Sequence, residues 1–165
     1  MIKNVSLAES AIKKMKTKKI KQVKSQKLMR KPSDIAPVIR GLLTEPDTDN
    51  AFIVNFRTNK DIQYFMNGIN AKKYSHRGTV TPDHVIRIKP YPIIVDMSAT
   101  DTIDTFRKRL ETVLTKYKLE YVSYFKKYSK GKKLKMLDPF PRVIYVAGVG
   151  MFSVGNTYNS SLVAG

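Results

Sequence analysis

Apolar positions first recur at helical spacing at Leu7, Ala8, Ala11, Ile12 and Met15, after which the stripe thins into lysines with only Ile20, Val23 and Leu28. Residues 5–29 therefore predict a partly helical arm without a packed face. Pro32-Ser33-Asp34 punctuates the arm, and Ser33 or Asp34 is placed to cap a short helix carrying Ile35, Val38, Ile39, Leu42 and Leu43. Residues 45–50 read as a loop. From Ala51 to Arg57 the pattern switches to alternation, with Phe52, Val54 and Phe56 on one side and Ile53 on the other, which predicts a strand followed by a short helix over Lys60 to Asn67. Beyond Gly68 and a short stretch around Tyr74, the polar loop Arg77 to His84 feeds a predicted strand Val85 to Lys89. Pro90 and Pro92 limit pairing, so Ile93 to Asp96 is expected as a second short strand or an edge segment.

The clearest element covers residues 101–129, where Ile103, Phe106, Leu110, Val113, Leu114, Tyr117, Tyr121, Tyr124, Phe125 and Tyr128 keep one helical face. Thr100 or Asp101 is the expected cap, Asp104 suits the first turn, and Lys126, Lys127 and Lys130 before Gly131 suit the last. Arg142 to Ala147 and then Gly148 to Gly155 give two apolar runs around a Gly148-Val149-Gly150 turn, which predict a hairpin or a sharply bent strand pair. Strands alternating with helices give an α/β fold: a small mixed sheet of three to five short strands, one long amphipathic helix (101–129) and a Lys-rich N-terminal arm. The expected organisation is a basic arm over 1–31, partly helical or disordered, an α/β domain over 32–158, and a tail over 159–165 without a stop signal that reads as truncated.

Charge is concentrated and not general. Of 31 Lys and Arg residues in the 165-residue chain, residues 1–31 hold 11 against Glu9, and residues 107–135 hold 11 against Glu111 and Glu120. The remainder is near neutral. These stretches either neutralise phosphates of a polyanion in a salt-sensitive manner or are solvated faces. The absence of cysteine removes disulfides, thiolate metal sites and cysteine nucleophiles. With no apolar run of the roughly 20 residues that span a bilayer, the expectation is a cytoplasmic chain with no membrane partner.

Few residues can support chemistry. His76 and His84 are too few for a three-histidine zinc site and fit no two-on-one-face spacing, so no metal is expected. Gly148-x-Gly150 lacks the third glycine and the following helix of a dinucleotide turn. Tyr128 and Lys132 have the spacing of a reductase pair, but with 9 Tyr and 23 Lys about one such pair arises by chance, and Gly131 interrupts the helix. The constellation that remains is Thr81-Pro82-Asp83-His84, Arg87 and Lys89. His84, Arg87 and Lys89 are candidates to hold a phosphate or carboxylate, with Asp83 orienting the histidine; alternatively, Thr81, Pro82 and Asp83 only build a turn. An intact small enzyme using His84 as base is a further reading.

The run Arg77-Gly78-Thr79-Val80-Thr81-Pro82-Asp83-His84-Val85-Ile86-Arg87-Ile88-Lys89-Pro90, then Pro92 and Val95-Asp96, resembles a signature segment of the bifunctional class II aldolase/short-chain dehydrogenase proteins, of the rhamnulose-phosphate aldolase and lactaldehyde dehydrogenase type. Ile39-Arg40-Gly41-Leu42-Leu43 upstream and Leu137-Asp138-Pro139-x-Pro141-Arg142 through Gly155-x-Thr157 downstream agree, so the resemblance covers about residues 36–157. It implies the middle segment of a sugar-phosphate enzyme, between a zinc aldolase domain and an NAD-dependent dehydrogenase domain that would be its partners, with zinc and NAD expected only in those domains. No catalytic residue of either has a matching position here. Residues 143–155 also look like the class II aldolase strand pair that ends in His-Gly, with Val149 where a zinc histidine would stand. The resemblance thus implies a fragment or split product without its own active site. The alternative is a stand-alone basic module binding nucleic acid or other polyanions through 1–31 and 107–135; Tyr117, Tyr121, Tyr124 and Tyr128 could stack on bases, but they fall on the apolar stripe and are expected in the core.

Overall fold

The computed structural model describes residues 2–15, 19–23, 30–44 and 51–165. The expected loop over 45–50 and the lysines at 16, 18, 24 and 27 lie outside the described residues. In chain order the elements are α1 (Ile2–Lys14), α2 (Pro32–Leu43), β1 (Ile53–Arg57), α3 (Lys60–Met66), α4 (Ala71–Ser75), α5 (Pro82–Ile88), β2 (Ile93–Val95), α6 (Ile103–Tyr128), β3 (Val143–Val146), β4 (Gly150–Gly155) and α7 (Tyr158–Val163). The four strands form one mixed sheet in the order β1-β4-β3-β2, with β2 and β3 parallel and the other pairs antiparallel.

Strand alternation divides the sheet into two faces. Ile93, Val95, Ile144, Val146, Phe152 and Val154 face α2 and α6 and form the main core with Ile35, Ile39, Phe106 and Leu110. The opposite face carries Tyr145, Met151 and Ser153; α3 reaches it through Phe65, whose ring lies 5.2 Å from that of Tyr145, and α7 packs on β4 and β1. The arm is not free throughout its length. Val23 N–H donates to Asn67 O at 2.7 Å and Ile69 N–H to Lys21 O at 2.9 Å, tying residues 21–23 to the α3–α4 connection. All described side chains of α1 are exposed, consistent with an arm whose apolar stripe is too sparse to pack.

Three expectations need correction. Residues 85–89 are not a strand. Pro82 suits the first turn of a helix, Asp83 complements its dipole, and α5 runs to Lys89, where φ is 69° and Pro90 stops continuation. The caps also differ. Lys31 is the N-cap of α2, with its N–H donating to the Asp34 carboxylate at 3.1 Å, and Thr102 is the N-cap of α6, accepting from Thr105 N–H at 3.1 Å. Asp101 is used instead to accept from Ser98 N–H and from Arg109, whose hydrogen bonds hold its carboxyl down at about 2. Finally, the stripe on α6 is buried only as far as Tyr121, whereas Tyr124 and Tyr128 are 40% and 59% exposed. A 26-residue helix is roughly 39 Å long, while the strands of the sheet are roughly a quarter to half that length, so its last two turns overrun the sheet.

Candidate functional site

The sequence constellation at 81–89 is split by the helix that contains it. Thr81 sits at the N-cap in an extended conformation, and its Oγ1 lies 2.7 Å from His84 Nδ1 instead of capping a backbone N–H. Asp83, His84 and Arg87 stand on α5 at i, i+1 and i+4, so Arg87 lies one turn beyond the other two and all three line one rim. That rim faces a cleft of about 380 Å³ whose floor is Val143, Tyr145 and Met151 on the sheet and whose far wall is Val163, at the end of α7, with Ala164 and Gly165 beyond it. The far wall is held by Arg57 on β1, which donates from Nη2 to Leu162 O at 2.7 Å and also to Gly165 O.

Lys89 does not join this cleft. It turns inward, 4% exposed, and donates to the Asp138 carbonyl, with its ammonium 3.8 Å from the Asp138 carboxylate and 4.3 Å from the Tyr121 ring centroid. Arg142 closes the cluster with two hydrogen bonds to Asp138, at 2.9 and 2.5 Å, and lies over the Phe52 ring. Burial pushes the Lys89 amine down to about 8, opposed by the Asp138 charge and aided by that of Arg142. Burial alone would raise the Asp138 carboxyl, but the Arg142 hydrogen bonds and the two cations hold it below the usual range. Sequence reading missed this cluster because Lys89 and Asp138 are 49 positions apart. The available signal was the Leu137-Asp138-Pro139-x-Pro141-Arg142 run, whose Asp and Arg are one helical turn apart in number but lie in a proline-bound loop.

The donor sets do not fit zinc or NAD. His76 stacks on Tyr91 with centroids 4.6 Å apart and donates from Nδ1 to Lys72 O, while His84 is engaged by Thr81. Among the described residues no three His, Cys, Asp or Glu side chains converge. Gly148, at φ 76°, makes the turn between two antiparallel strands, with no helix following to meet a pyrophosphate. Val149 lies in that turn, and its carbonyl accepts from Gln63 Nε2 at 3.1 Å.

This arrangement can be compared with known proteins. The family profile described as aldolase class II, second domain, matches residues 30–165. The chain belongs to the class II aldolase second-domain family. The match includes α2, every strand, the cleft and the Lys89–Asp138–Arg142 cluster, and leaves out α1. The chain is also 28% identical over 132 residues to a Bacillus subtilis (strain 168) protein described as uncharacterized oxidoreductase YuxG, an alignment covering 79% of this chain and 19% of that relative. It thus spans about a fifth of the relative's length. No solved structure matches. Among the described residues no helix is long and apolar enough to cross a membrane.

Proposed function

We propose that this second domain acts as a ligand-positioning module of a bifunctional aldolase/dehydrogenase-type enzyme, with the zinc- and NAD-dependent steps carried by other domains or subunits. The observation that carries the reading is the cleft between α5 and α7. Arg87 supplies a planar cation suited to a phosphate or carboxylate, and His84 supplies a ring nitrogen beside it. Asp83 stands on the same rim and would repel a bare anion, but it accepts hydrogen bonds from hydroxyl groups. A polyhydroxylated phosphate satisfies both, with phosphate on Arg87 and hydroxyls toward Asp83 and His84. The chain is in this sense a degenerate copy of an aldolase core, with Val149 where a zinc ligand would stand.

The test is thermal unfolding with a ketose 1-phosphate, against inorganic phosphate at matched ionic strength. Ligand at about 100 times Kd stabilises a fold by about 2.7 kcal/mol, a rise of roughly 5–10 °C for a domain of this size. The sugar phosphate is expected to give such a rise and phosphate much less, with Arg87→Ala abolishing the effect without lowering the unliganded melting temperature. Protection that survives Arg87→Ala, or none in the native chain, contradicts the proposal.

A further inference from the structure

We infer that the free end of α6, with the turn that follows it, binds single-stranded nucleic acid, stacking bases on Tyr124 and Tyr128 and holding phosphates with the lysines around them. The helix overruns the sheet here, so these two rings are exposed, whereas Tyr117 and Tyr121 of the same stripe are buried. At i and i+4 the two share one face of the helix. Their centroids lie 5.0 Å apart with the planes tilted by 52°, and the Lys127 ammonium stands 5.1 Å from the Tyr128 ring centroid. Aromatic surface and positive charge therefore meet at one end of the molecule.

From Tyr121 to Leu137 the chain carries Lys126, Lys127, Lys130, Lys132, Lys133 and Lys135 and no acid. All six lysines are exposed, and among the described residues none of them forms an ion pair. The acids that flank this stretch are engaged elsewhere: Glu120 accepts from the Tyr91 hydroxyl and lies 3.8 Å from the Lys116 ammonium, and Asp138 is held by Arg142 and Lys89. A helix dipole favours cations only within the last turn, which accounts for Lys126 and Lys127 and not for the lysines beyond. Gly131, at φ 77°, turns the chain there, and Lys132 N–H donates to Ser129 O at 2.8 Å, which keeps Lys130, Lys132 and Lys133 beside the helix end.

Charge selects a polyanion, and the exposed rings select one that carries planar groups. Bases stack on aromatic side chains without regard to sequence, provided that they are free of a duplex, while ammonium groups track the backbone. A bilayer surface fits less well. Leu119, the large aliphatic side chain that α6 exposes, stands about 140° or more round the helix from both tyrosines, so the lysine and tyrosine face lacks the aliphatic wedge that enters lipid. Leu134 and Leu137 are also exposed, but they lie in irregular chain, where no helical register aligns them with the rings. Inorganic polyphosphate would use the lysines and leave the rings idle.

The test is binding of the full chain to a labelled oligothymidylate of about 20 nucleotides, against a duplex of the same length, inorganic polyphosphate of matched charge, and phosphatidylserine vesicles. The chain has no tryptophan, so its intrinsic fluorescence is that of tyrosine, and the oligonucleotide is expected to quench it. Affinity should fall with salt at a log–log slope of about −3 to −4, that of roughly five neutralised phosphates. Tyr124→Ala with Tyr128→Ala should weaken oligonucleotide binding at least about tenfold and leave polyphosphate binding unchanged. Lys130→Gln, Lys132→Gln and Lys133→Gln together should make the slope shallower by about 2, and serve if the tyrosine variant does not fold. The inference is overturned by no binding, by equal binding of the duplex or of polyphosphate, by preference for the vesicles, or by oligonucleotide binding that survives both sets of substitutions, which would place it on residues 1–31.

Discussion

Replacing Asp138 by alanine is expected to destabilise the fold by about 3 kcal/mol, because it leaves the buried Lys89 ammonium and the Arg142 guanidinium without their shared carboxylate. The lower end of the range for broken buried pairs applies, since about a third of the Asp138 side chain reaches solvent. Against a total of about 5–15 kcal/mol this is a large fraction. Lys89→Met in the same background should recover part of it by removing one of the two unmatched cations. The cluster also has a pH signature. The Lys89 amine is ordinarily 10.5 when free and about 8 in the fold, so the unfolded chain binds more protons between these values. Stability from this group therefore rises as pH goes from about 8 toward 10.5. Asp138, held low, contributes stability above the ordinary carboxylate value of 3.8 that is lost as pH falls below it. Thermal melts at pH 7 to 10 should show the native chain gaining relative to Lys89→Met; equal slopes contradict the assignment.

The second large effect is expected at Gly155, the last residue of β4, where the sheet meets the first turn of α7. A Cβ there would lie 2.6 Å from the Ser160 carbonyl carbon and closer still to Ser160 Oγ and the Ser161 amide, so backbone and not merely a side-chain tip must move. Gly155→Ala is expected to cost more than about 2 kcal/mol and to lift α7 from the sheet. Buried Ser161 and Ala164 would be exposed and the cleft would lose its far wall. Melting temperature and amide exchange at 161–164 report the first effect, and loss of sugar-phosphate protection the second. A variant that melts like the native chain and keeps those amides protected excludes this packing.

The periodic elements were legible from the sequence because each one's pattern comes from one face being covered. Phe52, Val54 and Phe56 alternate because one side of β1 faces the core, and the 103–121 stripe repeats because α6 lies along the same sheet face. Failures arose where local and distant forces diverge. Val85 to Lys89 alternates like a strand, yet no neighbouring strand receives it, and Pro82 with Asp83 starts a helix instead. Tyr124 and Tyr128 continue the stripe but outrun the strands beneath, which no periodicity can reveal. The site was half legible: His84, Arg87 and Asp83 do share a rim, while Lys89 follows the inward turn that a positive φ before Pro90 imposes. Its partners on the 138–142 loop are joined to it only by the fold.

The central claim is that this second domain holds a ligand and leaves bond-making to other domains. Its most direct test is turnover by the purified 165-residue chain alone. The chain is incubated first with zinc and a ketose 1-phosphate, then with NAD and a hydroxyaldehyde. No cleavage and no NADH formation above the protein-free rate is the expected result. Turnover of either substrate that His84→Ala abolishes would contradict the claim and make the α5–α7 cleft an active site in its own right.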